Sequence, residues 1–204
     1  MKKLGLFVLT VIVLSLTFSA AFAETYDVSV FENNPAFEVE FDEMDDTGEI
    51  SLTEDCVIMG TSDGDTGDFL LGTVDIKIIP DMPPVIRLNM STMSDKRIKI
   101  NKFIVKPADT RYTFEVKSDW DYEDGHYFET FTIAITDQSI SMLEDILNGN
   151  SLSIKYRLAG DRNVDGSFFL TNDRLKTLYD AYVASGALNN DFSILRSIFP
   201  CTIK

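Results

Sequence analysis

Alternation of apolar and polar residues is the feature that most constrains the fold of this chain. It recurs in short segments, Phe37–Phe41 and Arg97–Ile100 among them, and turn residues separate these segments along most of the sequence. A period of two residues is typical of a strand with one buried face. Strands and helices do not alternate regularly along the chain, so nothing in the sequence indicates a parallel sheet. We therefore predict a mainly β fold of the α+β kind, an antiparallel β-sandwich or an open barrel with two or three short helices at one edge.

The clearest local signal is a β-hairpin. Tyr112–Lys117 and Tyr127–Thr136 both alternate, and Asp124-Gly125 lies between them. Asp-Gly favours the tight turn with positive φ that matches the twist of the flanking strands. Helical spacing replaces alternation later in the chain. It predicts helices near residues 140–149, 172–186 and 191–199.

Residues 1–23 have the three parts of a secretory signal peptide: a positive start, an apolar run and a small-residue end, Ala21-Phe22-Ala23. The apolar run is shorter than the roughly 20 residues that a membrane span needs. We expect cleavage after Ala23 and a single secreted β-rich domain over residues 24–204, extracellular or periplasmic. No second apolar run of spanning length follows, so we expect no membrane insertion after cleavage.

The two cysteines, Cys56 and Cys201, acquire a meaning from the predicted export. In an oxidising compartment two cysteines can pair. The sequence leaves two alternatives open: a disulfide that ties the first third of the domain to its C-terminal tail, or two separate buried thiols. No C-x-x-C spacing is present, so thiol redox chemistry has no support.

The charge of the chain is strongly acidic and unevenly distributed. It has 33 acidic and 18 basic residues, and residues 24–75 contain no lysine or arginine. Phosphate binding depends on clustered basic side chains, so we expect no nucleic-acid partner. Three arrangements relieve the repulsion between the acids: contact with the basic segment 96–117, a bound divalent cation, or plain solvation.

Two acidic segments are candidate calcium sites, and calcium is the one cofactor that the sequence suggests. Asp161, Asn163 and Asp165, followed by Gly166, resemble the start of an EF-hand or dockerin calcium loop over eight residues. Oxygen ligands at alternate positions can face one cation. The alternative is a polar connection between two strands. A second group, Asp63, Asp65 and Asp68, forms either a metal site or a solvated turn.

A group of aromatic residues near the predicted hairpin turn is the candidate binding site. It contains Trp120, Tyr122 and Tyr127, together with His126, the only histidine of the chain. Aromatic faces with polar edges can stack on sugars or grip peptides. The alternative is that Trp120 and Tyr127 pack across the hairpin and only stabilise it.

Catalytic motifs are absent from the sequence. His126 follows no nucleophile elbow, no zinc or phosphate-binding motif occurs, and paired carboxylates cannot be distinguished among so many acids. The leading hypothesis is therefore a secreted, non-catalytic binding domain for a protein or glycan partner at the cell surface or in the periplasm. The alternatives are a calcium-stabilised structural domain and a carboxylate-based hydrolase.

Overall fold

Twelve antiparallel strands and four short helices make up the described part of the chain. The computed structural model describes residues 26–42, 44, 46–63, 68–80, 82–149 and 153–204, and the predicted signal peptide and Asp65 lie outside these ranges. Every strand pair between these residues is antiparallel. The predicted β-rich antiparallel class is therefore confirmed.

The bounds of the elements are as follows. The strands are β1 (Phe37–Asp42), β2 (Thr47–Leu52), β3 (Val57–Ser62), β4 (Phe69–Ile78), β5 (Val85–Ser94), β6 (Lys102–Lys106), β7 (Tyr112–Glu115), β8 (Asp119–Glu123), β9 (His126–Ile135), β10 (Ile154–Ala159), β11 (Asn163–Leu170) and β12 (Cys201–Ile203). The helices are α1 (Ser29–Glu32), α2 (Ile140–Asn148), α3 (Asn172–Ala184) and α4 (Ser193–Ile198), with a 3-10 turn at Ala187–Asn189. Among the described residues, no helix is long and apolar enough to cross a membrane.

The strands join into one sheet in the order β12-β7-β6-β10-β11-β3-β4-β5-β9-β8. A side branch adds β2, which pairs with β4, and β1, which pairs with β2. Among the described residues, β8 pairs only with β9 and therefore has one open edge.

Aromatic side chains fill the centre of the core. The ring of Phe103 on β6 lies 5.8 to 6.5 Å from the rings of Phe114, Phe131, Tyr156 and Phe168. Phe131 belongs to β9, which is far from β6 in the order of the sheet. The sheet therefore curves until strands that are distant in its order face each other across a shared core.

The hairpin prediction is right about the turn and wrong about one arm. Asp124 and Gly125 have φ angles of 51° and 89°, as the predicted tight turn requires. However, the strand that pairs with β9 is β8, whereas Tyr112–Glu115 pairs with β6 and β12. Alternation reveals that a segment is a strand but does not reveal its neighbour.

The segment Arg97–Ile100, which alternation predicts to be a strand, is a loop. Ile98 and Ile100 are buried as expected, but their N–H groups do not join a ladder. The fully buried carboxylate of Glu129 accepts the N–H groups of Ile98, Lys99 and Ile100, the last two at 3.0 Å. Lys99 has a φ of 55°, which lets three successive N–H groups turn toward one acceptor. The carboxylate of Glu129 thus accepts the N–H groups that a neighbouring strand would accept in a sheet.

The cysteines are separate free thiols, so the disulfide alternative is wrong for this structure. Cys56 is buried, and its thiol lies 3.7 Å from the carbonyl of Thr171, which precedes α3. Cys201 begins β12, where it lies opposite Phe114. Burial raises the pKa of Cys56 to about 12 and that of Cys201 to about 11.

Replacing the buried carboxylate should destabilise the fold. In Glu129→Gln, an amide NH2 group faces N–H donors, and at least one buried donor is left without an acceptor. We expect a loss of about 2 kcal/mol in the free energy of unfolding, measured by urea titration. Glu38→Gln, on the exposed face of β1, is the matched control and should change stability by less than about 0.5 kcal/mol. Equal stabilities of the two variants would contradict this role of Glu129.

Thiol titration checks the state of the cysteines. When the chain is unfolded without reductant, both of its thiols should react with a disulfide reagent. The folded chain should react slowly at pH 8, because the raised pKa values keep both thiols protonated and the thiolate is the nucleophile. Half-buried Cys201 should react before buried Cys56. A count of no thiols in the unfolded chain would restore the disulfide.

Candidate functional site

The aromatic site forms where the inner face of β9 extends beyond the core. Side chains of a strand alternate between its two faces, so Tyr127, Glu129, Phe131 and Ile133 share one face. Phe131 and Ile133 belong to the core, Glu129 is fully buried, and Tyr127 is only partly buried. The same face that builds the core therefore reaches solvent near the hairpin turn.

The register of the hairpin places the other two aromatic residues on this face. Trp120 lies opposite Glu129, and Tyr122 lies opposite Tyr127. The ring of Tyr127 is 4.8 Å from that of Tyr122 and 6.1 Å from that of Trp120. Trp120 is 50% exposed and Tyr122 is 55% exposed, so cross-hairpin packing leaves about half of each side chain accessible.

Arg97 completes the aromatic site, and sequence reasoning missed it. Its guanidinium carbon lies 4.1 Å from the centroid of the Trp120 ring, which is a cation–π geometry. Its Nε atom is buried and has no hydrogen-bond partner among the described residues. Arg97 precedes the three N–H groups that Glu129 binds, so this carboxylate also fixes where the Arg97 backbone lies.

His126 is not part of the aromatic site, although it is adjacent to Tyr127 in sequence. It lies opposite Glu123, on the other face of the hairpin. Its Nδ1 atom is 3.0 Å from a carboxylate oxygen of Asp95, and both side chains are substantially exposed. The structure thus separates the histidine from the aromatic residues with which the sequence grouped it.

The edge strand β8 has two chemically different faces. Trp120 and Tyr122 are on the inner face, whereas Asp119, Asp121 and Glu123 are exposed on the outer face. In the ladder with β9, the N–H of Tyr122 points to the open edge, and the carboxylate of Asp121 accepts it at 2.7 Å. The open edge therefore presents main-chain groups between an aromatic and an acidic face.

The residues of the EF-hand-like segment do not converge on one point. Asn163 begins β11, so from this residue onward the segment is an extended strand and not a loop that wraps around a cation. Asp161 pairs with Lys99, and Asp165 accepts two bonds from Arg157 at 2.5 and 2.8 Å. Arg157 holds the pKa of Asp165 below its usual range.

The second acidic group is also dispersed. Asp68 is buried and bonded to Arg162 at 3.2 Å, Asp63 donates its backbone N–H to the carbonyl of Asp165, and Asp65 lies outside the described residues. Within the described ranges, no three acidic, histidine or cysteine side chains are grouped closely enough to hold a metal. The described arrangement therefore offers no support for the calcium hypothesis.

An exposed apolar row on the outer face of the sheet also escaped sequence reasoning. Phe169, Met59 and Leu71 lie directly opposite one another on β11, β3 and β4, and each is about half exposed. A short signal was available in Phe69-Leu70-Leu71, because three consecutive apolar residues in a strand place apolar side chains on both of its faces. Among the described residues, nothing covers this outer row.

The contact between Arg97 and Trp120 can be tested by fluorescence. Trp120 is the only tryptophan, so its emission reports on this site alone. We expect Arg97→Ala to increase quenching by acrylamide, because the guanidinium covers one face of the indole, with at most about 1 kcal/mol lost in stability. Lys96→Ala, at the neighbouring exposed position, is the control and should leave quenching unchanged. Equal quenching in the two variants would contradict the contact.

Comparison with known proteins gives no family to which the chain can be assigned. No protein-family model, curated protein or solved structure matches it. Its function therefore has to be argued from the sites described above, since a fold class alone does not determine function.

Proposed function

We propose that the chain is a non-catalytic binding domain whose hairpin holds an extended segment of a partner protein. The observation that carries this proposal is a pair of half-exposed aromatic residues, Trp120 and Tyr122, on a strand with an open edge. The compartment, at the cell surface or in the periplasm, rests on the predicted signal peptide of residues 1–23.

Trp120 and Tyr122 have the properties of binding anchors. Both rings rest on Tyr127, and Arg97 supports Trp120 from the neighbouring loop, so the cluster is formed before a partner arrives. Rigid aromatic side chains lose little conformational entropy on binding, and residues of this kind dominate the binding energy of many interfaces. A preformed cluster also reduces the ordering cost of association.

The open edge of β8 supplies main-chain bonds for the same partner. Trp120 and Tyr122 occupy the positions whose N–H and C=O groups point away from β9. A partner strand added here would bond these groups while its side chains alternate between the two faces of β8. Asp121 holds the N–H of Tyr122 in the unbound chain, so it would have to release that group.

The two faces of β8 define the chemistry of the partner segment. Side chains over the inner face would meet Trp120 and Tyr122, which favours apolar residues. Side chains over the outer face would meet Asp119, Asp121 and Glu123, which favours lysine or arginine. The best partner is therefore an extended peptide in which apolar and basic residues alternate.

A glycan fits the aromatic site less well than a peptide does. Sugar stacking requires an open aromatic face, but Arg97 already covers one face of Trp120, and Tyr127 is packed close to both of the exposed rings. A glycan also makes no use of the row of main-chain donors and acceptors along β8. These two points favour a polypeptide among the partners that the sequence suggests.

Selection from a random peptide library tests the proposal. Peptides retained by the wild-type chain and not by a Trp120→Ala/Tyr122→Ala variant should alternate apolar and basic residues. Their affinity for the double variant should fall by about thirtyfold or more, because two anchors are removed. Phe41→Ala, a similarly exposed aromatic residue on β1, is the matched control and should bind as the wild type does.

Hydrogen exchange separates strand addition from other modes of binding. A selected peptide should slow the exchange of the Trp120 and Tyr122 amides, which point to the open edge of β8. Unchanged exchange at these amides, or library peptides that bind the double variant equally well, would overturn the proposal. So would a glycan array on which the wild type binds and the double variant does not.

A further inference from the structure

Four basic residues form a single row across four neighbouring strands, far from the hairpin in sheet order. Lys155 on β10 lies directly opposite Lys106 on β6. The last pair of β6 and β7 is Val105 with Tyr112, and one step further in the same register places Arg111 opposite Lys106. Arg111 and Lys204 then exchange two backbone hydrogen bonds of 2.8 and 2.9 Å. Residues directly opposite in an antiparallel pair share a face, so all four side chains lie on the outer face of β10, β6, β7 and β12.

The side chains of this cationic row are exposed, and none of them has an ion pair among the described residues. Most other basic side chains of the described ranges are paired with an acid: Arg87, Lys99, Lys102, Arg157, Arg162, Arg174, Lys176 and Arg196. In a chain with 33 acidic and 18 basic residues, leaving four adjacent cations unpaired is therefore unexpected. Like charges directly opposite in a ladder also destabilise a sheet.

The cationic row borders a surface depression of about 350 Å³. Lys106, Arg111 and Lys155 contribute three positive charges to its lining. Arg157 and Asp165 also line it, but they neutralise each other in a bidentate pair. Asp63 adds one carboxylate, so positive charge predominates in the depression. A ligand with several negative charges would relieve the repulsion within the row.

The spacing of the cationic row limits the shape of such a ligand. Neighbouring strands are about 4.8 Å apart, so the four positions span roughly 15 Å along a line that crosses the strands. In a chain of sugar rings with one anionic group on each ring, the distance between successive charges is comparable to the distance between neighbouring strands. Three of the four cations are lysines, whose compact charge suits single sulfate or carboxylate groups and does not require bidentate geometry.

We infer that the outer face of β10, β6, β7 and β12 binds a short oligosaccharide that carries sulfate or carboxylate groups. The ligand is short because the net charge of the whole chain, −15, repels a long polyanion beyond the row. This site is independent of the hairpin, so either proposal can fail without the other.

Binding of a sulfated octasaccharide prepared from heparin tests this inference. Titration calorimetry would use the full chain and a Lys106→Gln/Lys155→Gln variant at low salt, with a desulfated, N-acetylated octasaccharide as the reference ligand. We expect the variant to bind at least about tenfold more weakly, because half of the row is neutralised. Lys96→Gln/Lys117→Gln removes the same charge at exposed positions outside the row, and it should retain affinity within about twofold.

Each alternative ligand gives a distinct result. Equal losses in the two variants would indicate unspecific charge attraction and would overturn the site, as would an absence of binding at low salt. A glutamate-rich peptide or a single-stranded DNA oligomer that binds more tightly than the sulfated sugar would overturn the choice of ligand. Without ligand, Lys106→Gln/Lys155→Gln should have a higher Tm than the wild type, because repulsion within the row is reduced. A lower Tm would contradict that explanation.

Discussion

The buried carboxylate of Glu129 is the contact on which the architecture of the hairpin site depends. A carboxylate without partners in a core is strongly unfavourable, and here three successive backbone N–H groups and the hydroxyl of Ser118 satisfy it. In return, these bonds give the loop at Ile98–Ile100 the acceptors that it would otherwise obtain from a neighbouring strand. The same bonds set the position of Arg97 next to Trp120. Stability and the shape of the candidate binding surface therefore have a common origin.

Cross-strand rows explain the notable surfaces of this molecule. Because side chains directly opposite in a ladder share a face, strand pairing brings residues of one kind into a row. The aromatic cluster joins Tyr122 to Tyr127, the apolar row joins Met59 to Leu71, and the cationic row joins Lys106 to Lys155. The basic segment of the sequence thus does not simply neutralise the acidic one. Lys106 and Arg111 of the basic segment have no ion pair among the described residues, and they lie toward the end of the strand order that is away from the hairpin.

The sequence predicts local structure better than it predicts neighbours. Alternation and the Asp124-Gly125 turn correctly identify strands and a hairpin, because both signals depend on residues close in the chain. The assignment of Tyr112–Glu115 to that hairpin fails, because pairing depends on the whole sheet. The role of Arg97 and the cationic row could not be predicted from the sequence for the same reason, because each is defined by a contact between segments far apart in sequence. His126 illustrates the reverse error, since adjacency in a strand places neighbouring side chains on opposite faces.

Amide hydrogen exchange at Ile98, Lys99 and Ile100 tests the central claim most directly. These residues are in a loop, and loop amides normally exchange quickly. If the carboxylate of Glu129 holds them, these three amides should be protected in the wild type as strongly as the amides of the β5–β9 ladder. In a folded Glu129→Gln chain, the three amides should lose this protection while the amides of the β5–β9 ladder keep theirs. Rapid exchange of all three amides in the wild type would contradict the account.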